Sequence, residues 1–164
     1  MKNLFVALMA VCALVSCGGD SKSTASTSVR AAIENIENPS DSLSSSSVRA
    51  TIENIENPGD YLLAVVAIQD KCSDRVDKAK NADEIISAVE ELAANMVKIQ
   101  SKVSGLNVSS TNMDLYESEG QKYAASTERL RVTLNEKGSR VKFTPQQEER
   151  FIQVLQNMYN SVPQ

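Results

Sequence analysis

Apolar residues recur every three or four positions along most of this chain, a spacing that predicts helices rather than strands. From Asp60 onward, Tyr61, Val65, Ile68, Cys72, Val76 and Ala79 line one helical face, with Asp60 read as the N-cap. Asn81, followed three residues later by Glu84, predicts a second start. Ile85, Val89, Leu92, Met96, Ile99 and Val103 then step by 4, 3, 4, 3 and 4, a continuous seam ended by Gly105. Thr111 to Asp114 supplies a further capping pair. Met113, Tyr116, Gly120, Tyr123, Thr127, Leu130 and Leu134 carry a third long helix, which Gly138 is expected to stop. Thr144-Pro145-Gln146-Gln147 opens the last one with a cap, a proline at the first helical position and a glutamine at the third. Phe151, Leu155, Met158 and Val162 form its stripe. Nothing alternates long enough for a strand, and "SRVKF" at 139–143 reads as a link between two helices. The expected fold is all-α: an antiparallel helical bundle of about four main helices.

A shorter helical stripe precedes the bundle, and it is written twice. "SVRAAIENIENPSD" begins at Ser28 and "SVRATIENIENPGD" at Ser47, with 12 of 14 positions identical. In the second copy Val48, Ile52 and Ile55 share one face, Ser47 is read as the cap, and Asn57-Pro58-Gly59 as the stop. Ten residues alone make a marginal helix in water, so the segment must dock on something. The second copy runs into the apolar helix after its proline, whereas serine-rich stretches flank the first. The expectation is asymmetric: the second copy belongs to the folded domain, and the first is a surplus duplicate in a flexible tether. The acidic positions Glu34, Glu37, Glu53 and Glu56 lack the dense loop pattern that calcium requires.

The start of the chain carries a different signal. Lys2 precedes an apolar run from Leu4 to Val15, too short to span a bilayer as a helix, which takes about 20 residues. Leu14-Val15-Ser16-Cys17 resembles the lipobox of bacterial lipoproteins, and "SCGG" followed by serines is similar to lipoproteins of the Bacteroidota type. The resemblance implies cleavage before Cys17 and a diacylglycerol on its thiol, so that the membrane is reached through lipid on Cys17. Two or three acyl chains would hold it firmly, where one gives marginal binding. Gly18, in place of aspartate, leans toward the outer membrane. The chain then divides into a signal peptide at 1–16, a lipid-anchored tether at 17–46 and a helical domain at 47–164. Cell-envelope localisation follows, with periplasmic or surface display left open.

Composition narrows the chemistry. There is no histidine, which removes the commonest general base and metal ligand. With Cys12 in the signal and Cys17 lipidated, Cys72 is the single remaining thiol, expected in the core. The net charge of −4 makes a poor nucleic-acid binder. No catalytic, metal or cofactor motif is found, and the acidic pairs Glu90-Glu91 and Glu148-Glu149 are expected on solvent faces. One cluster runs against the overall charge: Lys122, Arg129, Arg131, Lys137, Arg140 and Lys142 face only Glu128 and Glu136 over residues 122–142. That is a candidate patch for an anionic partner. The expected function is non-enzymatic: binding or scaffolding another envelope component. The alternative is a carrier of a small hydrophobic ligand, with Gly120, Ala124 and Thr127 leaving room between helices.

Overall fold

The computed structural model describes residues 45–104 and 116–160. They form α1 (Ser45–Glu53), α2 (Pro58–Lys78), α3 (Ala82–Val103), α4 (Glu117–Arg140) and α5 (Pro145–Asn160), with no strand among the described residues. The fold is all-α, as the spacing predicts. The signal sequence, the serine-rich tether as far as residue 44, the first repeat copy, Gly105, the cap at Thr111–Asp114 and Val162 lie outside the described residues, while Ser45 and Ser46, expected in the tether, open α1.

α2 is the axis of the bundle. It packs on α4 and α3 and carries α1 as well, while α3 also holds α5. Contacts between α2 and α3 close from a separation of 20 residues at Lys71–Glu91 to 12 at Arg75–Ser87, so these helices are antiparallel. The side chain and backbone contacts between α2 and α4 keep a separation of 55 to 60 residues, so those two run parallel. The chain therefore goes up, down and up, with the first and third strokes in direct contact. This position explains why α2 buries more than its predicted stripe. Val65, Ile68, Cys72 and Val76 are buried as expected, and so are Leu62, Leu63, Ala64, Val66 and Ala67. Residues 62–68 are apolar on every side, so that half of α2 is interior.

The seam of α3 is also in place: Ile85, Val89, Leu92 and Ile99 are buried, and Met96 and Val103 pack against the core. Leu130 and Leu134 of α4 and Phe151 of α5 complete it. Phe143, in the connection before α5, stacks at a tilt on Phe151 with ring centroids 5.8 Å apart. α1 ends at Glu53, so it docks through Val48 and Ile52, while Ile55 is buried in the link after it and not on the helical stripe; all three are under a tenth exposed.

Two of the predicted caps form as read. Asn81 Oδ1 accepts from Glu84 N at 3.0 Å, and Glu84 Oε2 accepts from Lys80 N at 2.7 Å. Thr144 Oγ1 accepts from Gln147 N at 3.3 Å, and Gln147 Oε1 accepts from Thr144 N at 2.9 Å. Three other boundaries differ. Ser47 lies inside α1, which starts at Ser45. Asp60 is not the N-cap of α2: Asn57 is, accepting from Asp60 N at 3.0 Å, with Pro58 in the first turn. Asp60, fully buried, accepts from Glu56 N at 3.1 Å. Proline both expels its predecessor from a helix and suits the first helical position, and here the second effect sets the boundary. Gly138 does not stop α4, which continues to Arg140 and ends on an extended Val141 whose N–H reaches Lys137 O at 3.0 Å. That exit needs no left-handed residue, so the glycine is not used as a cap.

The two differences between the repeat copies, Ala32 against Thr51 and Ser40 against Gly59, fall where the second copy is buried. A Cβ on Gly59 would stand 2.7 Å from Tyr116 Cδ1 and 3.0 Å from Cε1. Gly59→Ser, which introduces the first copy's residue, is therefore expected to destabilise the domain by about 1–3 kcal/mol through overpacking. In urea melts the double variant with Tyr116→Ala should lose less than the two single losses combined. Strict additivity would remove the proposed clash.

Candidate functional site

Docking of α1 across α2 and α3 leaves a groove beside it. Its walls are Val48, Arg49, Ile52 and Glu53 from α1 and Ala94, Asn95, Lys98, Ser101 and Lys102 from α3, with Lys71 and Glu91 at one end. The cavity measures about 670 Å³. Four cations meet two carboxylates there, a positive excess in a protein whose net charge is −4.

Both carboxylates are already engaged. Glu53 Oε1 accepts from Arg49 Nε at 2.8 Å along α1. Glu91 lies between two cations of α2: Lys71 Nζ donates to Oε1 at 2.7 Å, and the Arg75 guanidinium pairs with Oε2. Arg75 also donates to Ser87 Oγ at 3.3 Å. Burial pushes the Glu91 carboxyl upward, but Lys71 and Arg75 outweigh it and hold the group below its ordinary value. Lys98 and Lys102 are a different case. Lys98 Nζ reaches Asn95 Oδ1 at 3.4 Å, and neither lysine has a carboxylate within ion-pair distance among the described residues. At a spacing of four residues they share one face of α3.

The six cations expected to form an anionic-partner patch are distributed otherwise. Arg129 pairs with Asp70 and Asp74 of α2, where Ser126 Oγ also donates to Asp70 Oδ1 at 2.8 Å. Arg131 pairs with Glu128, and Arg140 with Glu136 at 3.8 Å. Lys137 Nζ donates to Ala79 O at 3.3 Å, serving the open C-terminal end of α2. Lys122 and Lys142 are exposed and take no part in these contacts. Helical spacing puts Lys122, Arg129 and Arg140 on one stripe of α4 and Arg131 on the opposite side, spread over roughly 27 Å.

Other charged and small residues also shift meaning. Glu90 and Glu91 do not face solvent together: Glu90 takes Arg150 of α5 at 2.8 Å, while Glu91 turns to α2. Consecutive helical residues point about 100° apart, so a helix held between two partners sends them to different neighbours. Glu119, in the first turn of α4, is fully buried, which no local pattern announces. Gly120 is buried within an unbroken α4, consistent with close helix approach. Thr127 Oγ1 accepts from Gln69 Nε2 at 3.1 Å and Ala124 is exposed, so those two positions do not enclose a space between helices. Cys72 is 3% exposed and donates to Ala88 O at 3.5 Å. Burial pushes its thiol up to about 12, so it is a packing residue and not a nucleophile.

The groove cations were not legible in advance, because Arg49, Lys71, Lys98 and Lys102 come from three separate helices. The one signal in the sequence is the Lys98/Lys102 pair, on the side of α3 away from its seam. No protein-family model matches this chain, and no curated protein and no solved structure matches it.

Proposed function

We propose that this chain is a lipid-anchored, non-enzymatic protein of the bacterial cell envelope that binds or scaffolds another envelope component. The lipobox-like Leu14-Val15-Ser16-Cys17 supports the anchor. Among the described residues no helix is long and apolar enough to cross a membrane. The observation that carries the binding role is the groove between α1 and α3, a concave surface with excess positive charge on an acidic protein. Grooves of this size with a few fixed polar groups are ordinary binding sites. The cations at 122–142 are a lesser candidate, since four of the six already have acceptors within the chain.

Two measurements in the native host test this reading. Labelled palmitate fed to the cells should enter the parent protein and should not enter Cys17→Ser. A photo-crosslinking residue at Ala94, in the groove, should capture an envelope component in intact cells, and one at Val132, on the exposed side of α4, should capture far less. Equal labelling of the serine variant, or no labelling of the parent, would overturn the anchor, and equal or absent capture at the two positions would overturn the groove as the binding surface.

A further inference from the structure

We propose that either copy of the repeat can fill the seat of α1, residues 26–34 exchanging for Ser45–Glu53, so that the chain has two registers 19 residues apart. The exchange rests neither on the lipid anchor nor on a ligand for the groove.

The positions that hold α1 recur in the first copy. α1 is seated on α2 and α3 by Val48 and Ile52, with Thr51 beside them only 1% exposed. Val29, Ala32 and Ile33 stand at the equivalent places, and Arg30 with Glu34 repeats the Arg49–Glu53 pair. Seven of the nine α1 positions are identical, and at those three buried ones the first copy has no larger residue. Either register seats one valine and one isoleucine, so burial of these anchors does not choose between them. Two smaller effects do. Ala32 lacks the hydroxyl and methyl of Thr51, which leaves a small void at a buried position. Seating the first copy also loops out about 20 residues, a cost that rises only slowly with loop length. Both effects favour the second copy, the register that the structure shows.

The damaging difference between the copies falls outside the exchanged part. Ser40 would meet Tyr116 if the whole unit moved and put it in the place of Gly59. An exchange of α1 alone leaves Ile55 and Gly59 where they are. Asn57 Oδ1 accepts from Asp60 N, and Asp60 accepts from Glu56 N, so the start of α2 is closed by its own residues whichever copy is seated. The looped stretch would contain Asn38-Pro39 and the serines of 40–47, a helix stop followed by linker composition. Seating the first copy takes 19 residues out of the stretch ahead of the domain, about 65 Å when fully extended. With lipid on Cys17, as proposed above, the two registers would give the domain two reaches from the membrane.

The test uses the full chain carrying Cys17→Ser, so that it stands whether or not the anchor does, and reads hydrogen exchange and thermal melts. Peptides from the two copies are told apart by mass, through Ala32 and Thr51. Val48→Ser with Ile52→Ser unseats the second copy, and exchange across 26–34 should then slow about fivefold or more relative to the parent. Adding Val29→Ser with Ile33→Ser should abolish that protection and lower the Tm by a further 4 °C or so, roughly the effect of losing a seated helix face. The same two changes in the parent should leave the Tm within about 1 °C. Thr51→Ala with Ala32→Thr decides the matter if the unseated domain does not fold: it hands the threonine to the first copy, and protection should pass in part from 45–53 to 26–34. Protection of 26–34 should not depend on protein concentration. Unchanged exchange across 26–34 in both variants would overturn the proposal, as would equal Tm effects of Val29→Ser with Ile33→Ser in the two backgrounds. Protection that grows with concentration would seat the first copy on a second chain and overturn the exchange within one.

Discussion

Glu91→Gln is expected to cost the domain about 2–3 kcal/mol and to flatten its response to acid. The Lys71 side chain is 10% exposed, and Glu91 supplies a carboxylate that compensates it. Removing one partner of a buried pair costs about 3–5 kcal/mol, because the other charge is left without compensation. Glu91 is itself 34% exposed, so water relieves part of that penalty. Replacing both partners, as Lys71→Met with Glu91→Leu, should come back to near neutral. The acid response follows from the depressed carboxyl of Glu91. A group whose folded value lies below its unfolded value, about 4.3 for glutamate, contributes fully above that unfolded value. Its contribution is lost as pH falls through the lower folded value. Urea melts at pH 7, 5 and 3.5 should show stability declining over the acid end in the parent and a shallower decline in Glu91→Gln. Glu128, held below its ordinary value by the hydrogen bond and charge of Arg131, adds to the parent slope but is common to both chains. Identical slopes would mean that the Lys71–Glu91 contact does not stabilise the fold.

Ile86→Ala is expected to be the more damaging change, at about 3 kcal/mol and a Tm fall on the order of 10 °C. Ile86 lies one residue off the α3 seam yet is 0% exposed. α3 packs on α2 with one side and on α5 with another, and the Glu90–Arg150 pair, four residues further on, marks the second contact. Truncation leaves a hole walled by helices that cannot collapse independently. Val97→Ala, on the same helix, removes a side chain that is 52% exposed and should change stability by less than about 0.5 kcal/mol. Similar losses at the two positions would show that α5 does not hold α3 as described.

These cases also mark what the sequence makes legible. Periodicity locates the seams of all four long helices, because a core-facing stripe depends on local spacing alone. Where a helix has neighbours on several sides, as with Leu62, Leu63 and Val66 of α2 or Ile86 of α3, a single stripe underestimates burial. Caps such as Asn81/Glu84 and Thr144/Gln147 are legible because both partners lie within one turn. Asn57-Pro58 is ambiguous because proline marks an end and a beginning with the same residues, and only the direction of the hydrogen bond from Asp60 N decides. The groove is the least legible feature. It exists only after α1 docks, and a cluster of like charges read along one helix, such as 122–142, says nothing about acids waiting on the helix beside it.

The joint between α1 and α2 has a mechanical meaning. Any tension arriving from the N-terminal side of the domain is borne first by α1, a nine-residue helix held by Val48 and Ile52. The Asn57 and Asp60 hydrogen bonds clamp the start of α2 behind it, so the weakest link lies ahead of that clamp. Peeling α1 into extended chain would lengthen the connection by about 17 Å and leave α2 to α5 intact. It would also take away one wall of the groove, since Val48, Arg49, Ile52 and Glu53 leave with α1. Pulling and an intact groove are thereby opposed at one short helix.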